Sequence, residues 1–256
     1  GMTMSVYNLI SQYILIIGSI VALVFLAVAG NEKRAAAGLT RQNWKSAVLI
    51  VLAFVGIYIV RTVVSVAVQG VSDGSGMQHV KEWAAMFKNP MMWLNIAALP
   101  INYFFVFIAF FGEEYGWRYY LQPVLQKRFG LRAGVIILGI VWGLWHIPDD
   151  LFYYTQTSGI QMIFAQQITC ISLGIFFAYA YMKTQNIWVP VCLHYLNNNL
   201  IPIISGTLSA DVLENQNVSW RDLPVAVVLN GLCFGFFLLA DVFKKKEIEK
   251  ENINFS

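Results

Sequence analysis

Long apolar runs alternate with short polar segments along the whole chain. A helix that crosses a membrane needs roughly 20 predominantly apolar residues, and about seven stretches meet or approach that length. They lie at residues 6–29, 47–69, 93–112, 131–147, 160–182, 187–204 and 223–243. The pattern therefore predicts an all-α, polytopic membrane helical bundle of about seven transmembrane helices, with eight as the alternative count.

The composition agrees with a membrane protein. Hydrophobic residues make up 58% of the 256 positions and charged residues 12%, and the mean hydropathy of +0.60 lies outside the usual range for soluble domains. The net charge of +3 is not gathered into a basic stripe with interleaved aromatic residues, so we exclude a nucleic-acid partner. Cys170, Cys192 and Cys233 show no zinc-like spacing and are expected to be small core residues.

The distribution of basic residues predicts the orientation of the chain. Lys and Arg accumulate in the cytoplasmic loops of membrane proteins. The basic segments are 30–46, 113–132, the turn at Lys183 and the tail from Lys244, and they alternate with the less basic segments 70–92, 148–159 and 205–222. We expect an integral protein of the plasma membrane with its N-terminus outside and its C-terminus in the cytoplasm.

The chain shows no internal repeat and no domain boundary, which predicts one membrane domain. Its first part, residues 1–92, is expected to hold two transmembrane helices and a short amphipathic helix, HVKEWAAMFKNP, lying in the membrane interface. Residues 93–204 form the core that carries the polar motifs. Residues 205–256 hold the last transmembrane helix and a basic cytoplasmic tail. Gly139 and Gly143 form a GxxxG pair that predicts close approach of a neighbouring helix.

Several polar side chains lie inside or beside these apolar stretches. An ionisable group at membrane depth costs several kcal/mol unless it is paired or hydrated, so its presence is a functional hypothesis by default. The candidates are Glu113 and Glu114 with Arg118, His146, His194 with Asn198, and Asn95 with Asn102. We interpret the two asparagines of the third stretch as packing residues.

Helix geometry separates the two adjacent glutamates. Residues four apart share a helix face, so Glu114 is expected to pair with Arg118. Glu113 is rotated by about 100° and has no local cation. We predict that Glu114 is the structural partner and Glu113 the reactive group, because an unpaired carboxylate in an apolar cavity is suited to act as a general base near neutral pH.

The histidines complete the candidate set. His194 and Asn198 are also four apart and are expected to point to one place, although Asn197 is an alternative to Asn198. Trp142 lies one turn before His146, where it could form a wall of the site. Taken singly, a histidine near a helix end is more often a core residue, and His194 with Asn198 could be an interhelical hydrogen-bonded pair. Their co-occurrence on three stretches, in a chain with only three histidines, favours a site.

These motifs resemble those of the CAAX protease and bacteriocin-processing (CPBP) family of intramembrane proteases, which includes the Abi proteins and the type II CAAX prenyl endopeptidases. The family's EExxxR motif stands as Glu113, Glu114 and Arg118, and its FxxxH motif as Trp142 to His146, with Trp in place of Phe. Its HxxxN motif stands as His194 to Asn198. The resemblance covers residues 93–204. Tyr119 departs from the pattern, since the family usually has Gly there.

The resemblance implies an intramembrane endopeptidase that acts on peptide or protein substrates. It implies that Glu113 activates a water, that His146 positions it, and that His194 with Asn198 stabilises the oxyanion. Glu114, Arg118 and Trp142 are supporting residues. The processes expected of the family are peptide or bacteriocin maturation, self-immunity, and CAAX-type processing. Apart from the substrate, membrane lipid is the partner we expect, and the oligomeric state is not indicated.

The sequence leaves open whether a metal ion takes part in the reaction. The family is commonly labelled metalloprotease, and Glu113, His146 and His194 could bind Zn²⁺ with an open coordination position. However, the sequence contains no HExxH motif, and a metal-free mechanism would use the same residues. We favour metal-free chemistry. No Ser or Cys lies beside a candidate base, so the sequence does not point to a covalent nucleophile.

Two other functions compete with this interpretation. A proton-coupled transporter would also place Glu and His at membrane depth, but the sequence lacks the inverted repeat typical of many transporters. A catalytically silent immunity protein would keep the same fold. The protease hypothesis makes a geometric demand, because Glu113 and His146 fall near opposite ends of their stretches. We therefore predict that the third helix is shifted, so that the membrane reaches past Tyr115 towards Leu125, and that the fourth runs on through Phe152.

Overall fold

The structure is a computed structural model that describes residues 42–204 and 213–244, together with isolated positions between 17 and 39. Helices connected by short turns make up this part of the chain, and no strand occurs in it. The all-α prediction is therefore confirmed. The predicted first span, 6–29, and most of the basic tail lie outside the described residues.

Nine α-helices follow one another in the described ranges. They are α1 (Trp44–Asp73), α2 (Gly76–Phe87), α3 (Pro90–Glu114), α4 (Gln122–Phe129), α5 (Leu131–Trp145), α6 (Ile147–Asp149), α7 (Gly159–Thr184), α8 (Trp188–Ile204) and α9 (Asp222–Cys233). Two π-helical segments, Tyr115–Leu121 and Asp150–Tyr154, join α3 to α4 and extend α6. Two 3₁₀ segments, Gly235–Leu239 and Asp241–Phe243, follow α9.

Among the described residues, four helical runs are long and apolar enough to cross a membrane, which agrees with a helical membrane bundle. They are Trp44–Val71, Pro90–Phe129, Leu131–Tyr154 and Gly159–Thr184. The helix α8, with 17 residues, and α9, with 12, are apolar but shorter. The predicted span 223–243 is therefore wrong as one continuous α-helix. The helix α9 ends at Cys233, close to Gly231 and Gly235, and glycine is a weak helix former.

The predicted third span, 93–112, is too short. The chain remains helical over 40 residues, from Pro90 to Phe129, through the π-helical segment. Pro123 explains the local change of helix type, because it has no N–H to donate to the carbonyl of the preceding turn. A run of this length measures about 60 Å, roughly twice the hydrocarbon thickness of a bilayer. The continuation past Tyr115 that the sequence analysis required is thus present.

The fourth run shows a similar extension. After α5 ends at Trp145, α6 and the second π-helical segment continue the helix to Tyr154. The first half of the segment 148–159, which the charge pattern placed in a loop, is therefore helical. Asp150 is fully buried there. The continuation of the fourth helix through Phe152 that the sequence predicted is thus present.

The helix α7 lies at the centre of the bundle and packs against α1, α5, α8 and α9. It approaches α5 closely, because a Cβ added to Gly139 would lie 2.6 Å from the Cα of Ile171. The predicted role of the GxxxG pair is thus confirmed. On another side of α7, the ring of Phe54 from α1 packs against those of Phe176 and Phe177.

The remaining peripheral predictions have mixed outcomes. The segment HVKEWAAMFKNP forms most of α2, which has no buried residue and exposes Val80 and Phe87. That α2 lies in the membrane interface stays a prediction. Cys170 is buried, whereas Cys192 and Cys233 are half-buried, and all three are free thiols.

Candidate active site

A buried network joins the EExxxR motif to the last histidine. Glu114 accepts a hydrogen bond from Arg118 Nε to Oε2 at 2.9 Å, so the predicted pair is formed. Its other oxygen, Oε1, accepts from His194 Nδ1, also at 2.9 Å. All three side chains are buried, and Glu114 and Arg118 have no exposed surface. Glu114 is therefore not only the partner of Arg118, because it also holds His194.

Arg118 ties this network to the rest of the bundle. Its Nη1 donates to the carbonyl oxygen of Gly174 on α7 at 3.1 Å. Its guanidinium carbon lies 5.5 Å from the ring centroids of both Trp142 and Phe177. A carboxylate, a carbonyl and two aromatic faces thus surround the buried cation, which is the compensation that a charge needs away from water.

The position of His194 on α8 is fixed on several sides. A carboxylate can only accept, so the Nδ1 bonded to Glu114 carries a proton, and Nε2 is the nitrogen left for the cavity. The rings of Phe110 and Trp142 pack against the imidazole edge to face, with centroids 5.2 and 5.4 Å away. The ring therefore has little freedom to change its orientation.

His146 is held by the end of its own helix. Its Nδ1 lies 2.9 Å from the carbonyl oxygen of Trp142, one turn earlier. Because a carbonyl only accepts, Nδ1 is the protonated nitrogen and Nε2 is available as an acceptor. Trp142 thus holds the imidazole through its backbone, while its ring lies between His146 and His194, with centroids 5.9 and 5.4 Å away.

One cavity of about 320 Å³ connects these side chains. Three of the four residues predicted to be catalytic, His146, His194 and Asn198, line it, as does Trp142. Other polar residues contribute to the wall. They are Tyr58, Arg61 and Thr62 from α1, Gln166 and Thr169 from α7, and Asn197 and Gln216.

Glu113 is the exception among the four residues predicted to be catalytic, because it is not among the described residues that line the cavity. It is half-buried, and its carboxyl lies close enough to those of Glu114 and Asp149 and to the imidazole of His194 to interact electrostatically with them. From the sequence, Glu113 was expected to be the reactive group and Glu114 the structural partner of Arg118. In the structure, Glu114 is the glutamate that contacts His194 directly.

The choice between Asn197 and Asn198 has no single answer in the structure. Both line the cavity, and Asn197 Nδ2 donates to Asn198 Oδ1 at 3.0 Å. The Asn198 oxygen is thus engaged, which leaves its amide N–H groups as the donors for a ligand. This arrangement gives Asn198 the polarity that binding of an oxyanion would require.

The suggested zinc ligands do not form a metal site in this arrangement. Within the part of the chain that the structure describes, no three His, Cys, Asp or Glu side chains are grouped closely enough to hold a metal ion. The Nδ1 atoms of His146 and His194 are bonded to Trp142 and Glu114, so only their Nε2 atoms could serve as ligands. Glu113, His146 and His194 therefore do not fit a zinc ion as they lie, and we derive no catalytic step from one.

Two sets of residues in or near the cavity were not predicted from the sequence. Arg61 lies within the apolar stretch 47–69 and lines the cavity, and the rule applied to Glu113 should have found it there. Asp149 interacts electrostatically with both His146 and Glu113. Asp150 is fully buried, and neither of its carboxylate oxygens has a hydrogen-bond partner among the described residues. In the sequence, the indication for Asp149 and Asp150 was their position three and four residues after His146.

Comparison with known proteins agrees with the motif pattern. Residues 94–200 match a family described as "Type II CAAX prenyl endopeptidase Rce1-like". The chain is also 28% identical over 125 residues to "CAAX prenyl protease 2" of Methanococcus maripaludis, an alignment that covers 45% of each chain. The resemblance to the CAAX protease family is therefore confirmed. No solved structure matches the chain.

The region of CAAX protease similarity corresponds to a defined part of the fold. It begins in α3, ends in α8, and contains Glu113, Glu114, Arg118, His146, His194 and Asn198. Arg61 and the rest of α1 lie outside it. The chain spans less than half the length of this CAAX protease relative.

Proposed function

We propose that the protein is an intramembrane endopeptidase that hydrolyses peptide bonds with a water activated by Glu113. The observation that carries the proposal is that His146 and His194 both line one polar cavity inside a bundle of apolar helices. The network of Glu114 and Arg118, which orients His194, supports it. The similarity of residues 94–200 to CAAX prenyl endopeptidases points to the same activity.

In the proposed reaction, Glu113 takes a proton from a water as the water oxygen attacks the scissile carbonyl carbon. The carbonyl π electrons move to oxygen, which becomes an oxyanion. His146 orients the water through Nε2. Glu113 then returns the proton to the leaving nitrogen as the C–N bond breaks, which yields a carboxylic acid and an amine.

The oxyanion would be stabilised by His194 and Asn198. The Nδ1 proton of His194 is donated to Glu114, so Nε2 can donate to the oxyanion only when the ring carries both protons. Glu114 then supplies the negative charge opposite that imidazolium. Asn198 would donate from its amide nitrogen, since its oxygen accepts from Asn197. Two such donors aimed at developing charge are the usual basis of an oxyanion hole.

The biological setting belongs to the same proposal. We infer a role in peptide or bacteriocin maturation, in self-immunity, or in CAAX-type processing. We also infer location in the plasma membrane with the N-terminus outside and the C-terminus in the cytoplasm. Lys127, Arg128 and Lys183 support this orientation, because they lie in the last turns of α4 and α7, at ends that the proposed topology puts in the cytoplasm.

The activity can be tested with the full chain purified in detergent and returned to liposomes. Wild type, Glu113→Gln, His146→Ala and His194→Ala are compared in the hydrolysis of a quenched fluorescent peptide library. Glu82→Gln and His79→Ala, both on α2 away from the cavity, are the matched controls. We expect the three site variants to lose at least about 100-fold in rate, as is typical when a general base is removed.

Each other outcome has a definite meaning. Full activity of Glu113→Gln would contradict the proposed mechanism. No hydrolysis by folded wild type would contradict the endopeptidase function itself. In that case, a proton flux across the same liposomes would support the transporter alternative, and its absence would support a silent immunity protein.

A further inference from the structure

The helix α1 brings a positive charge to the cavity wall. Tyr58, Arg61 and Thr62 all line the cavity, and their spacing of three and four residues places them on one face of the helix. Arg61 lies well inside the membrane-spanning run Trp44–Val71, which contains no acidic residue. A cation at this depth is costly, so its retention requires an explanation.

The partners of Arg61 within the protein are neutral. Its Nη1 donates to Asn230 Oδ1 on α9 at 2.9 Å, and its guanidinium lies over the ring of Tyr58, 5.2 Å from the centroid. No ion pair to Arg61 and no Asp or Glu in the cavity lining occurs among the described residues. By contrast, the charge of Arg118 is balanced by the carboxylate of Glu114.

The cavity is therefore suited to an anionic ligand. Besides Arg61, its lining contains two imidazoles and the amides of Asn197 and Asn198. The planar guanidinium offers several N–H donors in a fork that matches a carboxylate, and one of them is used by Asn230. A peptide substrate can supply a carboxylate either at its C-terminus or from an Asp or Glu side chain.

We propose that Arg61 binds a carboxylate of the peptide substrate and so determines which peptides are held at the site. This rests on the proposed endopeptidase function. Tyr58 donates to the Asn197 carbonyl oxygen at 3.5 Å, which joins α1 to the part of α8 that follows His194. Arg61 lies three residues beyond Tyr58, about 4.5 Å further along the helix. The carboxylate is thus held beside the reacting peptide bond and not at it.

Arg61 also lies outside the segment that resembles CAAX proteases, residues 94–200. The reactive motifs come from α3, α5 and α8, whereas this charge comes from α1. The catalytic group and the carboxylate-binding group are therefore carried by separate helices, and one can be altered without removing the other. This separation makes the proposal testable by substitution.

The test uses four peptides built on one cleavable sequence. One pair differs at the C-terminus, as free acid or amide, and the other pair differs by Glu or Gln at one internal position. Wild-type kcat/KM is measured for each. We expect the loss of one of these carboxylates to lower kcat/KM about tenfold or more, and the affected pair identifies the source. Equal kcat/KM within both pairs would overturn the proposal while leaving the endopeptidase function intact.

Variants then assign the effect to Arg61. Arg61→Gln is expected to remove the preference for the acidic peptide, and Arg61→Lys to keep only part of it, since an ammonium lacks the planar fork. Arg221→Gln, at an exposed arginine, is the matched control. If Arg61→Gln does not fold, Asn230→Ala removes the neighbouring bond and keeps the cation. A preference that survives Arg61→Gln in full would contradict the assignment.

Equilibrium binding separates this inference from the proposed function. The same peptides, labelled with a fluorophore, are titrated with the Glu113→Gln protein in detergent, which should not cleave them, and followed by anisotropy. If no peptide is cleaved, the endopeptidase function fails, but tighter binding of the carboxylate peptide would still support the role of Arg61. Equal affinity for acid and neutral peptides would overturn that role.

Discussion

Glu114 Oε1 and His194 Nδ1 are 2.9 Å apart, although the two residues are separated by 80 positions in the chain. This bond joins the end of α3 to the middle of α8, and Arg118 occupies the second carboxylate oxygen. One buried acid therefore satisfies a buried cation and orients a histidine of the cavity. The consequences for stability and for activity can be separated by substitution.

Replacing Glu114 by Ala is expected to lower the free energy of unfolding by about 3–5 kcal/mol, because Arg118 would remain buried without its counter-charge. Activity should fall as well, since His194 loses its acceptor. Thermal or chemical unfolding in detergent measures the first effect. Glu82→Ala on the exposed helix α2 is the control and should change stability by less than about 0.5 kcal/mol.

A double variant tests whether the cost comes from the isolated charge. Glu114→Leu with Arg118→Met removes both charges while retaining apolar volume, and it should be more stable than Glu114→Ala alone. A double variant that is less stable than the single one would show that the geometry of the pair, and not the orphaned cation, determines stability. Unfolding in the same detergent is the measurement.

Arg118→Lys should give an intermediate loss even though the charge is kept. An ammonium cannot donate in parallel to Glu114 and to the Gly174 carbonyl in the plane that Arg118 uses, and it lacks the flat face that lies over Trp142 and Phe177. We expect destabilisation of about 1–3 kcal/mol, the cost of leaving a buried polar group unsatisfied. Stability equal to wild type would show that charge alone is sufficient.

The sequence predicted the local part of this network and missed its long-range part. The pair of Glu114 with Arg118 follows from a spacing of four residues on a helix, so it could be stated beforehand. The bond to His194 depends on how α8 packs against α3, which no spacing rule contains. For the same reason, the sequence could place Glu113 and Glu114 on different faces without showing which of them contacts His194.

The helix boundaries failed where proline altered the helix instead of ending it. Hydropathy located the apolar stretches, but Pro123 and Pro148 are accommodated next to π-helical segments, so both runs extend beyond their apolar parts. Asp150 falls in the segment 148–159, which the charge pattern set between two spans, although the fourth helix was also predicted to continue through Phe152. Arg61 was overlooked because one cation barely changes the hydropathy of a long apolar stretch, and its importance appears only when the cavity is seen.

Substitution of Gly139 by Ala should destabilise the contact between α5 and α7. The added Cβ would lie 2.6 Å from Ile171 Cα, a backbone atom that cannot rotate away, so the helices must separate. We expect a loss of about 1–3 kcal/mol, as is usual for overpacking. Gly56→Ala on α1 is the control, because its Cβ would meet nothing within 4 Å. That variant should be neutral or slightly stabilised, since Ala is the better helix former.

Removal of metal ions tests the metal-free form of the proposed mechanism. Among the described residues, Glu113, His146 and His194 are not grouped closely enough to hold a metal ion. We therefore expect hydrolysis of the peptide library to persist after treatment with a chelator and dialysis, at a rate within about twofold of the untreated protein. Elemental analysis of the same sample establishes that the metal has been removed.

Loss of activity that zinc restores, together with one bound zinc per chain, would require Glu113 and the two Nε2 atoms to move together. Wild type and His194→Ala should then differ in zinc content, whereas the metal-free mechanism predicts no difference between them.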